Sequence, residues 1–383
     1  MDFNNIHELL RNLLNTLLRK KTINTPQLII SEKLIEHNYK YFKNSILSGN
    51  ARIFYSVKAN NHPSVIRKLK NSGSGFEISS YGELEIIKKE NIKPELLIYS
   101  NPVKIPLHIA NAYKYGINKF AFDSENELKK IKQYAPMSGV FVRINVANDG
   151  SEWKLTGKFG APAGEAVGLL KKSFDYKLNP IGITFHVGWN NKSNTAWEKA
   201  LNTCYEILKE LKENNINLHF IDIGGGFPAH NANQYQKLKQ IAKIINPSLQ
   251  KIKNNFNVEI YTEPGSFIVA NSGVLLVKIF DIIERKGKRW VYVDSGISQG
   301  FYWILSGLQY NVIYPYEILK NRKMQKYIIT GPTCDTHDIF TKHALLPEYL
   351  STDDYLIIYP AGAYINSAKE YNGFCYPKIK VIR

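Results

Sequence analysis

The chain has 383 residues, 44% of them hydrophobic and 22% charged, enough for two domains because single cores stop growing near ~250–300 residues. This composition excludes a disordered or low-complexity protein. A net charge of +17 admits nucleic acid, membranes or anionic small molecules as partners, but the lysines are scattered along helical stretches beside many Asn and Ile, the mark of an AT-rich coding sequence rather than of a nucleic-acid or membrane surface.

Residues 1–25 carry Ile6, Leu9, Leu10, Leu13, Leu14, Leu17 and Leu18 at helical spacing, which predicts one amphipathic helix packed against the protein's own body. Asn12, Asn15 and Thr16 interrupt any signal-peptide core, and no run is long enough to span a membrane. From residue 51, short β-branched or apolar runs alternate with helical stretches. The predicted strands are Ile53–Val57, Gly75–Ser79, Leu96–Ser100, Lys119–Asp123, Val140–Asn145, Gly182–Val187, His219–Ile223 and Val258–Thr262, with helices such as Pro63–Asn71, Tyr81–Glu90, Glu125–Tyr134, Ala163–Lys172, Thr195–Lys212 and Gln234–Ile245 between them. Eight such alternations predict a (β/α)8 TIM barrel over residues 26–265. Beyond Pro264 the long helices cease. Ser272–Glu284, Arg289–Asp294, Gln325–Thr330, Tyr355–Tyr359 and Lys378–Ile382 read as strands of an antiparallel β domain over residues 266–383, to which Gln27–Ile30 can add a strand.

Cys204, Cys334 and Cys375 are too few for a disulfide scaffold and lack metal-ligand spacing. They fit a reducing cytoplasm and predict no metal site.

In a (β/α)8 barrel, chemistry gathers at the carboxyl ends of the strands. Lys58 stands at the end of strand 1, Arg143 in strand 5, His186 at the end of strand 6, Gly224-Gly225-Gly226 after strand 7 and Glu263 after strand 8. A lysine after a strand is usually a solvated surface residue. Here the triple glycine offers unobstructed backbone N–H groups to a phosphate, without the Gly-Lys-Ser/Thr of a P-loop. A phosphate-bearing cofactor that also reacts with a lysine points to pyridoxal 5′-phosphate.

The ordered segments Phe54–Asn60, Gly75–Ser80, Phe185–Gly188, Asp222–Pro228, Glu263–Gly265, Gly331-Pro332-Thr333-Cys334-Asp335 and Gly362-Ala363-Tyr364 with Tyr371–Phe374 resemble the ornithine/diaminopimelate decarboxylase family of fold-type III pyridoxal-phosphate enzymes. The likeness runs from about residue 26 to the end. It implies a barrel plus β domain in a homodimer with shared active sites. It also implies roles: Lys58 binds the cofactor's carbonyl, His186 stacks on its ring, and Glu263 keeps the ring nitrogen protonated. A racemase of the same fold resembles the family but places a basic partner there. Gly224, Gly225, Gly226 and Tyr364 hold the phosphate, Arg143 and Glu83 orient the cofactor, and Cys334 returns a proton to Cα beside Asp335.

Three positions depart from the family pattern. Ser266 stands where an arginine usually contacts the phosphate, an interaction worth roughly 1.5–3 kcal/mol. Trp189 stands where a serine usually does. Gly307 stands where the ornithine decarboxylases carry an aspartate that grips the substrate's distal ammonium. The expected substrate is therefore an amino acid whose side-chain nitrogen is already acylated, for example by citrate in carboxylate-siderophore biosynthesis. The alternatives are free ornithine, lysine or diaminopimelate, or a non-catalytic regulatory paralogue.

Overall fold

The computed structural model describes residues 23–155, 157–230, 233–315, 323–366 and 368–383. Most of the expected helix over residues 1–25 lies outside them, and residues 23–25 are irregular. Two compact units result. One is Glu36–Phe267; the other combines the described residues up to Ile35 with Ile268–Arg383.

The chain enters through strand β1 (Gln27–Ser31) and helix α1 (Glu32–Ser45), and then builds a closed barrel. Its parallel strands are β2 (Arg52–Ser56), β3 (Gly75–Ile78), β4 (Leu97–Tyr99), β5 (Lys119–Phe122), β6 (Gly139–Ile144), β7 (Asn179–Phe185), β8 (Phe220–Asp222) and β9 (Glu259–Thr262). Closure is made by β2 against β9, with Arg52 opposite Tyr261 and Ile53 opposite Thr262. Inward-facing Phe54, Ile98, Phe141, Phe220 and Tyr261 fill the interior, with the Phe220 and Tyr261 rings stacked at 4.2 Å. This apolar plug leaves the polar chemistry to the carboxyl ends of the strands.

Between the strands run α2 (Pro63–Asn71), α3 (Tyr81–Lys89), α4 (Pro106–Tyr115), α5 (Glu125–Tyr134), α6 (Ala163–Asp175), α7 (Ala196–Glu213) and α8 (Gln234–Phe256). Their starts follow from local chemistry. Ser80 Oγ accepts from Glu83 N at the head of α3, and Ser124 Oγ from Glu127 N at the head of α5. Helix α8 outruns its expected end at Ile245: it continues through Pro247 because Leu249 and Ile252 prolong the buried stripe of Leu238, Ile241 and Ile245. Asn246 secures the passage, accepting from Leu47 N at 3.1 Å and donating to Ser45 O at 3.0 Å.

The second unit holds an eight-stranded sheet. It comprises β1 with β10 (Gly273–Arg285), β11 (Lys288–Val293), β12 (Asn311–Ile313), β13 (Met324–Thr330), β14 (Ile339–Pro347), β15 (Tyr355–Tyr359) and β18 (Lys378–Ile382); a hairpin of β16 (Glu370–Tyr371) and β17 (Phe374–Cys375) stands apart. The sheet is mostly antiparallel, as expected. Two pairs, β1 with β18 and β11 with β13, are parallel. Because β1 lies between β10 and β18, with Leu28, Ile29 and Ile30 buried, the barrel unit starts at Glu36 rather than near residue 26. Strand β14 escapes a period-2 reading because its pairing with β13 is broken by register shifts around Ile329.

Candidate active site

Lys58 does not end a strand. It lies in the single 3₁₀ turn Val57–Ala59 that follows β2, with its Nζ 2.9 Å from Glu77 Oε2. Glu77, on β3, is 1% exposed. Its carboxylate also accepts from Ser56 Oγ at 2.6 Å and Ser79 Oγ at 2.8 Å. Burial pushes the Glu77 pKa up, but the Lys58 charge and these hydrogen bonds outweigh it, and the net shift is downward. Glu77 therefore stays ionised and holds the Lys58 ammonium in place.

Glu83 shares this corner. Burial, and then the charge of Glu77, push its carboxyl up to about 7, although its Oε2 accepts from Ser79 N at 2.6 Å. It both caps the α3 start and stores a proton beside the Lys58–Glu77 pair.

On the strands that close the barrel against β2, Asp222 ends β8 and Glu263 follows β9. Gly224 N donates to Asp222 Oδ1 at 2.9 Å, and Thr184 Oγ1 to Asp222 Oδ2 at 3.2 Å. Burial first, and then the neighbouring Asp222 and Glu77 charges, raise the Glu263 carboxyl well above the usual range. The two carboxyls interact directly, and burial raises the proton affinity of both. Glu263 Oε1 is buried and has no hydrogen-bond partner among the described residues. An orphaned carboxyl oxygen at the carboxyl end of a barrel is built for a missing partner.

His186 follows β7. Its Nδ1 accepts from Gly188 N at 3.1 Å, which leaves the proton of the neutral ring on Nε2. Burial, with Arg143 and Lys58 adding repulsion, takes its pKa well below the ordinary value. Arg143, on β6, lies over the Phe159 ring at 5.4 Å. Burial lowers its pKa, and Glu263, Asp123 and Glu77 oppose this.

The glycines between these groups are obligatory. Gly224 and Gly226 have φ of +64° and +86°, and added Cβ atoms would fall 2.1 Å from Phe185 O and from Gly188 O respectively. At Gly225 a Cβ would lie 2.6 Å from Glu263 O and 3.5 Å from His186 Nε2, which places this turn beside the His186 ring. Trp189 and Ser266 meet nearby, the indole N–H donating to Ser266 Oγ at 3.1 Å.

These features fit pyridoxal phosphate. A held lysine amine can meet an aldehyde, an unpartnered acid a ring nitrogen, a flat neutral imidazole a ring face, and a glycine turn a phosphate. Sequence reasoning singled out Lys58, His186, Glu263, Glu83, Arg143 and the three glycines, and the barrel unit carries all of them at the carboxyl ends of its strands. It did not assign a role to Glu77 or Asp222, although an acid inside the apolar run Gly75–Ile78 is a signal of its own.

The β unit carries the others. Cys334 is exposed and accepts from Asn372 Nδ2 at 3.2 Å. Asp335 Oδ1 accepts from His337 N at 2.8 Å and pairs with its ring at 3.1 Å, which lowers the Asp335 pKa. Buried Asp338, which sequence reasoning missed, organises this loop: its carboxylate accepts from Ile297 N at 2.8 Å, Thr333 N at 3.1 Å and Thr333 Oγ1 at 2.6 Å. Tyr364 has φ +57° and packs 6.1 Å from Trp303. Gly307 has φ +97°, with open space where a Cβ would project. It lines a cavity of about 660 Å³ with Ile304, Tyr310, Phe340, Lys342 and His343, and no acid is among its described lining residues.

Known proteins agree with this geometry. Residues 32–270 match the family model described as the pyridoxal-binding domain of pyridoxal-dependent decarboxylases. A lysine/ornithine decarboxylase of Selenomonas ruminantium is 32% identical over 92% of this chain and 88% of that protein. The ornithine decarboxylase of Schizosaccharomyces pombe is 32% identical over 84% and 75%. The structure of a Vibrio vulnificus lysine/ornithine decarboxylase complexed with putrescine superposes with a TM-score of 0.87 at 27% identity, covering 97% of this chain and 98% of that one. Barrel, cofactor-shaped site and these likenesses together place the chain in the family of pyridoxal-phosphate-dependent amino-acid decarboxylases.

Proposed function

We propose that this enzyme removes the α-carboxyl group of an amino acid with pyridoxal phosphate joined to Lys58. The observation that carries the assignment is the orphaned Glu263 Oε1 after β9, the strand beside β2, which leads into a lysine held by Glu77. When bound, the cofactor supplies an aldehyde that joins an amino group and a ring that accepts the electron pair left as the Cα–carboxylate bond breaks.

The chain's residues arrange the rest. Glu77 orients the Lys58 amine. Asp222, fixed by Thr184 and the Gly224 amide, raises the proton affinity of Glu263, the acid that would pair with the cofactor's ring nitrogen and favour a proton there. His186, held neutral, covers a ring face without adding charge. Gly224, Gly225 and Gly226 would bring backbone N–H groups to the phosphate, and Arg143 balances the surrounding carboxylates. Cys334 delivers a proton to Cα after carbon dioxide leaves, and Asp335 receives the substrate's polar end; both reach the partner's site in a homodimer. Three free cysteines suit a cytoplasmic enzyme. Among the described residues no helix is long and apolar enough to cross a membrane.

For the substrate, we infer an amino acid whose side-chain nitrogen carries a carboxylate-rich acyl group such as citrate, as in siderophore assembly. Gly307 cannot grip an ammonium, and its cavity offers Lys342 and His343 rather than an acid. The second reading, free lysine or ornithine, is favoured by the activities named for the Selenomonas and Vibrio relatives. Carbon dioxide release from both sets of compounds decides between them: turnover of free ornithine or lysine at ordinary enzyme rates refutes the conjugate. Lys58→Ala should abolish the cofactor's visible absorption, and a colourless wild-type protein that takes up no cofactor would sink the whole assignment.

A further inference from the structure

One histidine has no part in the chemistry above. His230 closes the segment that begins with the glycine turn, and its φ of +62° is left-handed, a conformation that costs a side-chain-bearing residue about 1–2 kcal/mol. Both its ring nitrogens are buried without a hydrogen-bond partner among the described residues. A neutral imidazole carries one N–H, so strain and an unsatisfied donor coincide in one side chain. Such costs are retained where a ligand supplies the missing partner.

The surroundings indicate which ligand. The His230 ring packs 5.3 Å from the Trp189 ring, and Trp189 in turn donates to Ser266 Oγ. The carbonyl of Gly188, next to Trp189, abuts Gly226, where a Cβ would lie 2.1 Å away. Asn190 clamps the approach, its Oδ1 accepting from Ala229 N at 2.8 Å and its Nδ2 donating to Glu152 Oε2 at 2.6 Å. Gly226, Trp189, Ser266 and His230 thus bound one corner whose other side-chain donors are neutral.

We propose that His230 is a phosphate ligand of the cofactor, its ring N–H donating to a phosphate oxygen at the corner formed by Gly226, Trp189 and Ser266. This rests on the pyridoxal-phosphate reading of the site. The test compares the affinity of the apo-protein for pyridoxal phosphate and for pyridoxal, by absorbance titration, in wild type and His230→Phe, which keeps a ring against Trp189. The expected result is a rise of about 10- to 100-fold in Kd for pyridoxal phosphate with Kd for pyridoxal unchanged, and a smaller rise for His230→Gln, which keeps an N–H. In the wild type, the ¹⁵N-histidine ring resonances assigned to residue 230 shift with pyridoxal phosphate and not with pyridoxal. Equal effects on the two compounds, or a resonance indifferent to both, overturns the proposal while leaving the cofactor assignment intact. A wild-type protein that binds neither compound refutes both.

Discussion

The proton on Glu83 makes stability of the cofactor-free protein depend on pH in a direction opposite to ordinary acid carboxylates. Its carboxyl is raised from about 4.5 to about 7 by burial and by Glu77. A group whose folded pKa is raised contributes stability that is fully present below its unfolded value and is lost as pH rises through the folded one. The interval corresponds to roughly 3 kcal/mol at about 1.36 kcal/mol per unit, of which the window between pH 5 and pH 8 spans the larger part. Glu83→Gln keeps an acceptor for Ser79 N and removes the charge that would face Glu77. Its stability relative to wild type should therefore improve by about 2 kcal/mol between pH 5 and pH 8, most steeply near pH 6, midway between the unfolded and folded values. Paired urea denaturation of the two apo-proteins across that range measures the difference directly. A difference that stays flat with pH, or that favours wild type increasingly at pH 8, would refute the burial and repulsion assigned to Glu83.

Other expectations follow from particular contacts. Glu263→Gln removes the acid opposite the ring nitrogen and should lower kcat about 100-fold or more while cofactor remains bound, as seen by absorbance and steady-state kinetics. Cys334→Ala should slow turnover about tenfold or more and divert part of the product from amine to aldehyde, measured by product analysis. Asp338→Ala, by leaving Ile297 N and Thr333 N without their acceptor, should reduce kcat through the Cys334 loop and cost about 2–3 kcal/mol of stability in urea. Asn246→Ala should cost about 1–2 kcal/mol of stability without changing kinetics, because its two hydrogen bonds serve only the passage of α8 past Pro247.

The barrel was legible in the sequence because each of its strands is a short apolar or β-branched run set off by a helical stretch, and the chemistry-bearing side chains sit at those boundaries. Lys58 and Glu263 could be placed at their ends to within a residue. What escaped was what depends on partners distant in sequence. Pro247 reads as a helix stop, and only Ser45 and Leu47, brought alongside Asn246, make continuation visible. Glu77 sits inside an apolar run, and its meaning appears only when Lys58 is 2.9 Å away. Strand β14 hides because its register shifts spoil alternation, and Asp338 reads as one more loop acid until Ile297 and Thr333 converge on it.

The position of β1 bears on how the molecule is made. Synthesis produces this strand before the barrel, yet its two neighbours, β10 and β18, come after the entire barrel, one of them among the last residues described. The barrel segment can therefore emerge and fold while Gln27–Ser31 still lacks a sheet to join, an apolar strand held in waiting through most of translation. Completion of the sheet is a late, long-range closure, and a ribosome stalled shortly before Lys378 would leave one side of β1 open as an edge for intermolecular pairing.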